Sequence, residues 1–179
     1  MKIQIFGGPG VGKSTLAARA FSELKSLQYN VGLVQEYVKE FAVHGDDRPK
    51  YWDYVHTFGE QMRREYLLFK QGHEVIVTCS PLLLQCVYAE KHARCCSDEL
   101  IQLALKFEQD VPNVSFFILR SKDQPYSTDG RWETFEQAKG MDREIQSFLS
   151  WYDVPLILLR YDEVDKIVKE VQWKLRGNT

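Results

Sequence analysis

Gly7-Gly8-Pro9-Gly10-Val11-Gly12-Lys13-Ser14 has the pattern of a phosphate-binding loop: a glycine, any four residues, then Gly-Lys-Ser. The apolar run Ile3-Gln4-Ile5-Phe6 before it reads as a buried strand, and Thr15-Leu16-Ala17-Ala18-Arg19-Ala20 after it reads as a helix. In that context every part has a physical task. Glycines allow unusual dihedrals, so that several amide N–H groups can converge on one phosphate. The helix behind them adds the positive end of its dipole. Gly8, Pro9, Gly10, Val11, Gly12, Lys13, Ser14 and Thr15 are therefore the candidate nucleotide-binding residues. Lys13 is expected to reach the β- and γ-phosphates of ATP, and the Ser14 hydroxyl is the candidate Mg²⁺ ligand.

The bulk properties narrow the rest. A chain of 179 residues is one domain's worth, residues 1–179, and long enough to bury a substantial core. A formal charge of −2 disfavours a broad nucleic-acid-binding surface and makes such a partner the lesser choice. No apolar run approaches the roughly 18 residues that span a bilayer, and the chain begins strand-like, without the look of a signal or transit segment. Cys79, Cys86, Cys95 and Cys96 lack Cys-x-x-Cys spacing and read as reduced thiols, which points to a cytoplasmic protein. His44, His56, His73 and His92 are scattered and suggest no zinc site. Oligomeric state is not legible in the sequence.

Four more apolar runs read as strands, at 31–35, 75–78, 114–119 and 155–159. Continuous runs of this kind suit a parallel sheet covered on both faces. Helical patterns lie at 14–27, 51–71, 98–109, 133–150 and 163–175. Leu16, Ala20, Leu24 and Leu27 share a face of the first, and Phe58, Met62, Tyr66 and Phe69 recur at helical spacing in the second. Alternating strands and helices imply a three-layer α/β domain with a five-stranded parallel sheet. Aromatic stretches such as Tyr51-Trp52-Asp53-Tyr54 and Trp151-Tyr152 are expected in the core by default.

Ligands of such folds bind at the carboxyl ends of the strands, so the residues that follow each strand carry the chemistry. Glu36, after the second strand, is the candidate base that accepts a proton from an attacking hydroxyl. Tyr37 and Lys39 are candidates to hold a substrate phosphate or base. Gln61 and Arg64, on the polar side of the long helix, are candidates to read a base edge and a phosphate. After the third strand, Thr78-Cys79-Ser80-Pro81 lacks the acidic residue that commonly organises Mg²⁺ in phosphoryl transfer. The segment near 121–141, with Gln124-Pro125-Tyr126-Ser127-Thr128-Asp129-Gly130-Arg131, reads as a lid; Arg131 is its candidate catalytic cation.

Taken together, the P-loop, Glu36-Tyr37-Val38-Lys39-Glu40-Phe41, Thr-Cys-Ser-Pro and Asp129-Gly130-Arg131 resemble small P-loop kinases of the NadR ribosylnicotinamide-kinase type, a group with many phage-encoded members. The resemblance runs from about Met1 to Leu159. It implies a P-loop NTPase fold with sheet order 2-3-1-4-5, ATP and Mg²⁺ as donor and metal, and an arginine-bearing lid. It also places Glu36 where deoxynucleoside-kinase-like enzymes carry a base. Two positions depart from the pattern: related sequences commonly have Arg at Lys39 and Asp at Cys79. Lysine offers a point charge in place of a bidentate fork, and a thiol offers no hard oxygen to a metal.

Three functions follow as expectations. The leading one is ATP-dependent phosphoryl transfer to a small nucleoside or nucleotide. A second is a polynucleotide 5′-end kinase, for which Arg48, Lys50, Arg63 and Arg64 would line a basic groove. The third is a nucleotide-binding regulatory module with little turnover, motivated by Cys79. The shortness of the chain does not favour a mechanical, ring-forming ATPase.

Overall fold

The computed structural model describes residues 1–38, 49–94, 98–122, 125–127 and 132–177. β1 (Lys2–Phe6) enters the P-loop, followed by α1 (Lys13–Ser26) and β2 (Val31–Val34). Next come α2 (Tyr51–Lys70), β3 (Val75–Thr78), α3 (Leu82–Ala93) and α4 (Asp98–Asp110). β4 (Asn113–Ile118), α5 (Phe135–Trp151), β5 (Leu156–Leu159) and α6 (Val164–Arg176) complete the described chain. The strands form one parallel five-stranded sheet in the order β2-β3-β1-β4-β5, the order that the resemblance to NadR-type kinases implies. The loop lies beyond the end of the central strand, beside the point where the chain turns from building one half of the sheet to building the other.

Period-two alternation along β1 sorts the core into two layers. Ile3 and Ile5 face a cluster with Leu16, Ala20 and Leu24 of α1 and Ile167 and Val171 of α6. Phe6 faces the other side, where Phe58, Leu83, Phe117, Met141 and Ile145 pack. Each of these buried Leu, Ile, Val, Phe and Met side chains contributes about 1.5–3 kcal/mol by leaving water. Leu27 does not join the α1 stripe: the helix ends at Ser26, Gln28 turns the chain with a positive φ of 68°, and Leu27 is exposed.

The helix Leu82–Ala93 has no counterpart in the periodicity. Leu82, Leu83, Leu84, Gln85, Cys86, Val87 and Ala89 are all buried, so its opening turns are covered on every side and, apart from Gln85, apolar, with no polar stripe. In α2 the expected face is partly reversed. Tyr54, Phe58, Gln61 and Glu65 point inward, while Tyr66 and Phe69 are exposed. The cause lies in β1. Lys2 is 1% exposed and its ammonium is held by Glu65 at 3.0 Å and Glu108 at 2.7 Å. A buried cation must be paired, so α2 turns a carboxylate inward where an apolar residue would otherwise sit. Gln4 joins this network, donating to Glu108 and accepting from Ser115 at 2.9 Å.

The aromatic stretches also divide. Tyr54 is buried, but Tyr51 and Trp52 are exposed and Trp151 is 82% exposed, which corrects the expectation of core packing. Among the described residues no helix is long and apolar enough to cross a membrane.

Candidate nucleotide and phosphoryl-transfer site

The P-loop adopts the backbone that its glycines permit. Gly7, Gly10 and Gly12 have φ of 146°, 76° and 93°, a region that L side chains rarely occupy. Val11 is fully buried among the α1-side residues and pins the loop to the core. Lys13 lies along the loop, and its ammonium donates to the carbonyls of Gly7 at 2.9 Å and Gly8 at 3.0 Å. Ser14 and Thr15 open α1 and are exposed. The first turn of α1 carries no acidic side chain, so nothing there opposes an anion at the helix N-terminus.

Two and three residues beyond β2, Glu36 and Tyr37 are half-buried. Glu36 and Tyr88 of α3 are electrostatic neighbours: burial, then the Glu36 carboxylate, pushes the Tyr88 phenol well above its ordinary range. Beyond β3, the Cys79 thiol is buried and faces the Ser14 hydroxyl, Sγ to Oγ 3.8 Å. Cys79 stands at the position where the resemblance to NadR-type kinases implies an aspartate. Cys79 and Cys86 are both buried, and neither forms a disulfide.

Of the candidate substrate residues, Tyr37 and Arg64 come together. The Arg64 guanidinium sits 4.4 Å from the centre of the Tyr37 ring, and its Nε donates to Glu60 at 2.9 Å. That bond, then the nearby guanidinium charge, holds the Glu60 carboxyl below the ordinary glutamate range. The Tyr37 hydroxyl and His56 Nε2 are 3.1 Å apart, which adds a histidine that no sequence spacing had singled out. Gln61 sits elsewhere than expected. It is fully buried, its Nε2 donates to Thr78 at 3.2 Å and Glu65 at 3.3 Å, and it belongs to the inward face of α2 and not the polar side. Lys39 and Arg131 lie outside the described residues, as do Glu40, Phe41, Arg48, Asp129 and Gly130.

The sequence reading missed a contact on the outer side of the loop. Arg120, two residues past β4, forms an ion pair with Asp142 of α5: Nε to Oδ2 is 2.6 Å and Nη2 to Oδ1 is 3.2 Å. The same Arg120 Nη2 donates to the Pro9 carbonyl at 2.8 Å, and Asp142 Oδ1 accepts the Gly8 N–H at 2.9 Å. Thr134 caps α5 in a reciprocal box with Gln137, which fixes the start of the helix two turns before Asp142. Near it, His92 Nε2 is 3.2 Å from the Glu133 carboxylate, and both side chains are buried.

A cation at Ser14 would find one exposed hydroxyl oxygen, a donor that suits Mg²⁺, which takes few protein ligands and completes its shell with water and phosphate. The Cys79 sulfur is a soft donor and does not fit that metal. Among the described residues no group of three His, Cys, Asp or Glu side chains forms a metal cage.

Comparison with solved structures places the fold. A NadR protein in complex with NAD and AMP-PNP superposes with a TM-score of 0.71 at 18% identity, over 96% of this chain and 49% of that one. A NadR protein in complex with NR gives 0.67 at 17% identity, over 88% and 43%. The chain therefore spans less than half the length of these two structures. YorR from Bacillus subtilis, in complex with phosphorylated GDP, gives 0.61 at 13% identity over 98% of this chain and 96% of that one. These likenesses bear out the NadR-type resemblance at the level of the fold. No curated protein sequence matches the chain. A family model described as AAA domain matches residues 2–166, nearly the whole chain, and the protein belongs to that family of P-loop proteins.

Proposed function

We propose that the protein is an ATP-dependent kinase that transfers the γ-phosphoryl group to a hydroxyl or phosphate of a small nucleoside or nucleotide. The observation that carries this reading is positional: Lys13 and Ser14 follow β1, Glu36 follows β2 and Cys79 follows β3 at the carboxyl ends of adjacent parallel strands, with the Cys79 thiol facing Ser14 and Arg64 packed on Tyr37. The ligands of the structural neighbours, NR, NAD with AMP-PNP and phosphorylated GDP, support small nucleotide-like substrates. Family membership alone fixes the nucleotide-binding fold and not the acceptor.

Each residue has a role in this reading. The loop amides and the α1 N-terminus hold the phosphates, and Lys13 neutralises charge on the transferred group. Ser14 holds Mg²⁺, which when bound spreads the phosphate charge. Glu36 accepts the proton of the attacking hydroxyl. Arg131 supplies a second cation, and Tyr37, Lys39 and Arg64 orient the acceptor. Gln61 acts from beneath, through Thr78 at the end of β3. Positioning and electrostatics supply nearly all the rate.

One observation favours a second reading, a nucleotide-binding module with little turnover: the Cys79 thiol faces Ser14 with no carboxylate in its place. ATP turnover with Mg²⁺ against nucleosides, nucleoside monophosphates and nicotinamide riboside separates the two, with Lys13→Ala as control. A kinase gives one acceptor that stimulates the wild type and not the variant. Tight ATP binding with no stimulation by any acceptor supports the second reading.

A further inference from the structure

A carboxylate against an anion-binding loop calls for explanation, because its charge alone repels the phosphates the loop would hold. Asp142 is nevertheless bonded to a loop amide, the Gly8 N–H, at 2.9 Å. Its charge is matched by Arg120, which bridges both carboxylate oxygens and also reaches the Pro9 carbonyl at 2.8 Å. Both side chains are mostly buried, 10% and 14% exposed, so the pair is only weakly screened by solvent. Gly8 is shaped for this contact. A Cβ there would collide with the Asp142 carboxylate and come within 3.0 Å of the Ala138 carbonyl. Ala138, one helical turn before Asp142, is fully buried and small enough to let α5 approach the loop.

We propose that Arg120 and Asp142 are positioning residues for nucleotide binding: together they clamp the Gly8-Pro9 half of the P-loop from outside and hold its remaining amides in the phosphate-binding arrangement. Lys13 ties the same half from inside, through the carbonyls of Gly7 and Gly8. Gly8 is thus held from both sides, its N–H by Asp142 from without and its carbonyl by Lys13 from within. The proposal rests on the reading of the loop as a nucleoside triphosphate site.

The sign of one substitution separates this role from bulk electrostatics. Asp142→Asn keeps an oxygen for the Gly8 N–H but turns an amino group toward Arg120, breaking the pair. If only net charge mattered, removing an anion beside the loop would tighten ATP binding. If the clamp positions the loop, binding weakens by about tenfold, the scale of one charge-assisted hydrogen bond. Arg120→Met weakens it further, because it leaves the carboxylate uncompensated beside the phosphates. The double variant loses less than the product of the two single losses, because both act on one pair.

The experiment is calorimetric titration of the full chain with Mg²⁺ and a non-hydrolysable ATP analogue, with thermal melts of every variant. Weakened binding by Asp142→Asn, measured well below its melting temperature, supports the clamp. Unchanged or tighter binding with only a lowered melting temperature overturns it and leaves a purely structural ion pair. Should Asp142→Asn not fold, Arg120→Lys keeps the charge but not the fork. Weaker analogue binding by that variant supports the proposal, and wild-type affinity overturns it. A wild type that binds no analogue overturns the nucleotide reading itself, and is recognised before any variant is made.

Discussion

The Sγ of Cys79 lies 3.8 Å from the Oγ of Ser14, so the last strand turn before α3 presents sulfur to the hydroxyl that opens α1. A carboxylate at this place would offer Mg²⁺ a hard oxygen across from Ser14; the thiol offers none. We expect Cys79→Asp to raise acceptor-dependent ATP turnover by about tenfold, with a lower Mg²⁺ requirement, as better metal placement lowers the barrier. Initial rates over a Mg²⁺ titration read both effects. A variant that folds and shows no gain removes the argument that the thiol limits catalysis.

Glu36 is the second test. It follows β2 at the carboxyl end of the sheet and is an electrostatic neighbour of Tyr88, whose phenol is pushed above its already high ordinary pKa by burial and then by that carboxylate. Glu36→Gln removes the proton acceptor with little change in shape. The expected loss in kcat is about a hundredfold or more, with the KM for ATP nearly unchanged. A kcat within threefold of wild type would show that no base is needed at this position.

Arg64 offers a test of the acceptor side. Its guanidinium packs on Tyr37 and is fixed by Glu60, so the fork is pre-organised. Lysine keeps the charge and loses both the planar stacking and the fixed geometry. Arg64→Lys is expected to raise the KM for the acceptor by about tenfold and to leave the KM for ATP alone. Equal effects on the two constants would place Arg64 outside the acceptor pocket.

The sequence made β1, the P-loop and α1 legible because each carries a strong local signal, glycine spacing and short apolar runs. The alternation of strand with helix made the parallel sheet legible; the strand order came only through the resemblance to NadR-type kinases. Two classes of feature were not legible. One is α3, where Leu82-Leu83-Leu84 begins a helix buried on nearly every side and no polar stripe marks its period. The other is partnership across distance. Nothing near Lys2 in the chain announces that it is buried, so neither Glu65 nor Glu108 could be recognised as its counter-charge. The resulting error in α2 moved Gln61 from the core to the surface and Tyr66 from the surface to the core. Arg120 and Asp142 are likewise ordinary in their local patterns, and only the fold brings them to Gly8 and Pro9.

The Lys2 network yields a prediction with a definite sign. Burial pushes the Glu108 carboxyl above the ordinary glutamate value of 4.5, and Lys2 offsets this only in part. The folded chain therefore holds that proton more tightly than the unfolded chain does. Linkage then requires the Glu108 contribution to stability to fall as pH rises from near 4.5 through the raised folded value. Glu108→Gln removes that slope, and its unfolding free energy should be flatter than wild type over the same interval. Lys2→Met does the opposite, leaving Glu65 and Glu108 buried together without a cation. Near neutral pH it should be destabilised by about 3–5 kcal/mol, the scale for breaking a buried ion pair from one side. Part of that loss should return in acid, where the two carboxyls can protonate. Urea unfolding of the three proteins over a pH series reads all of this. An unaltered slope in Glu108→Gln, or a Lys2→Met variant as stable as wild type near neutrality, would show that the ammonium and its carboxylates are solvated in solution and not buried as a network.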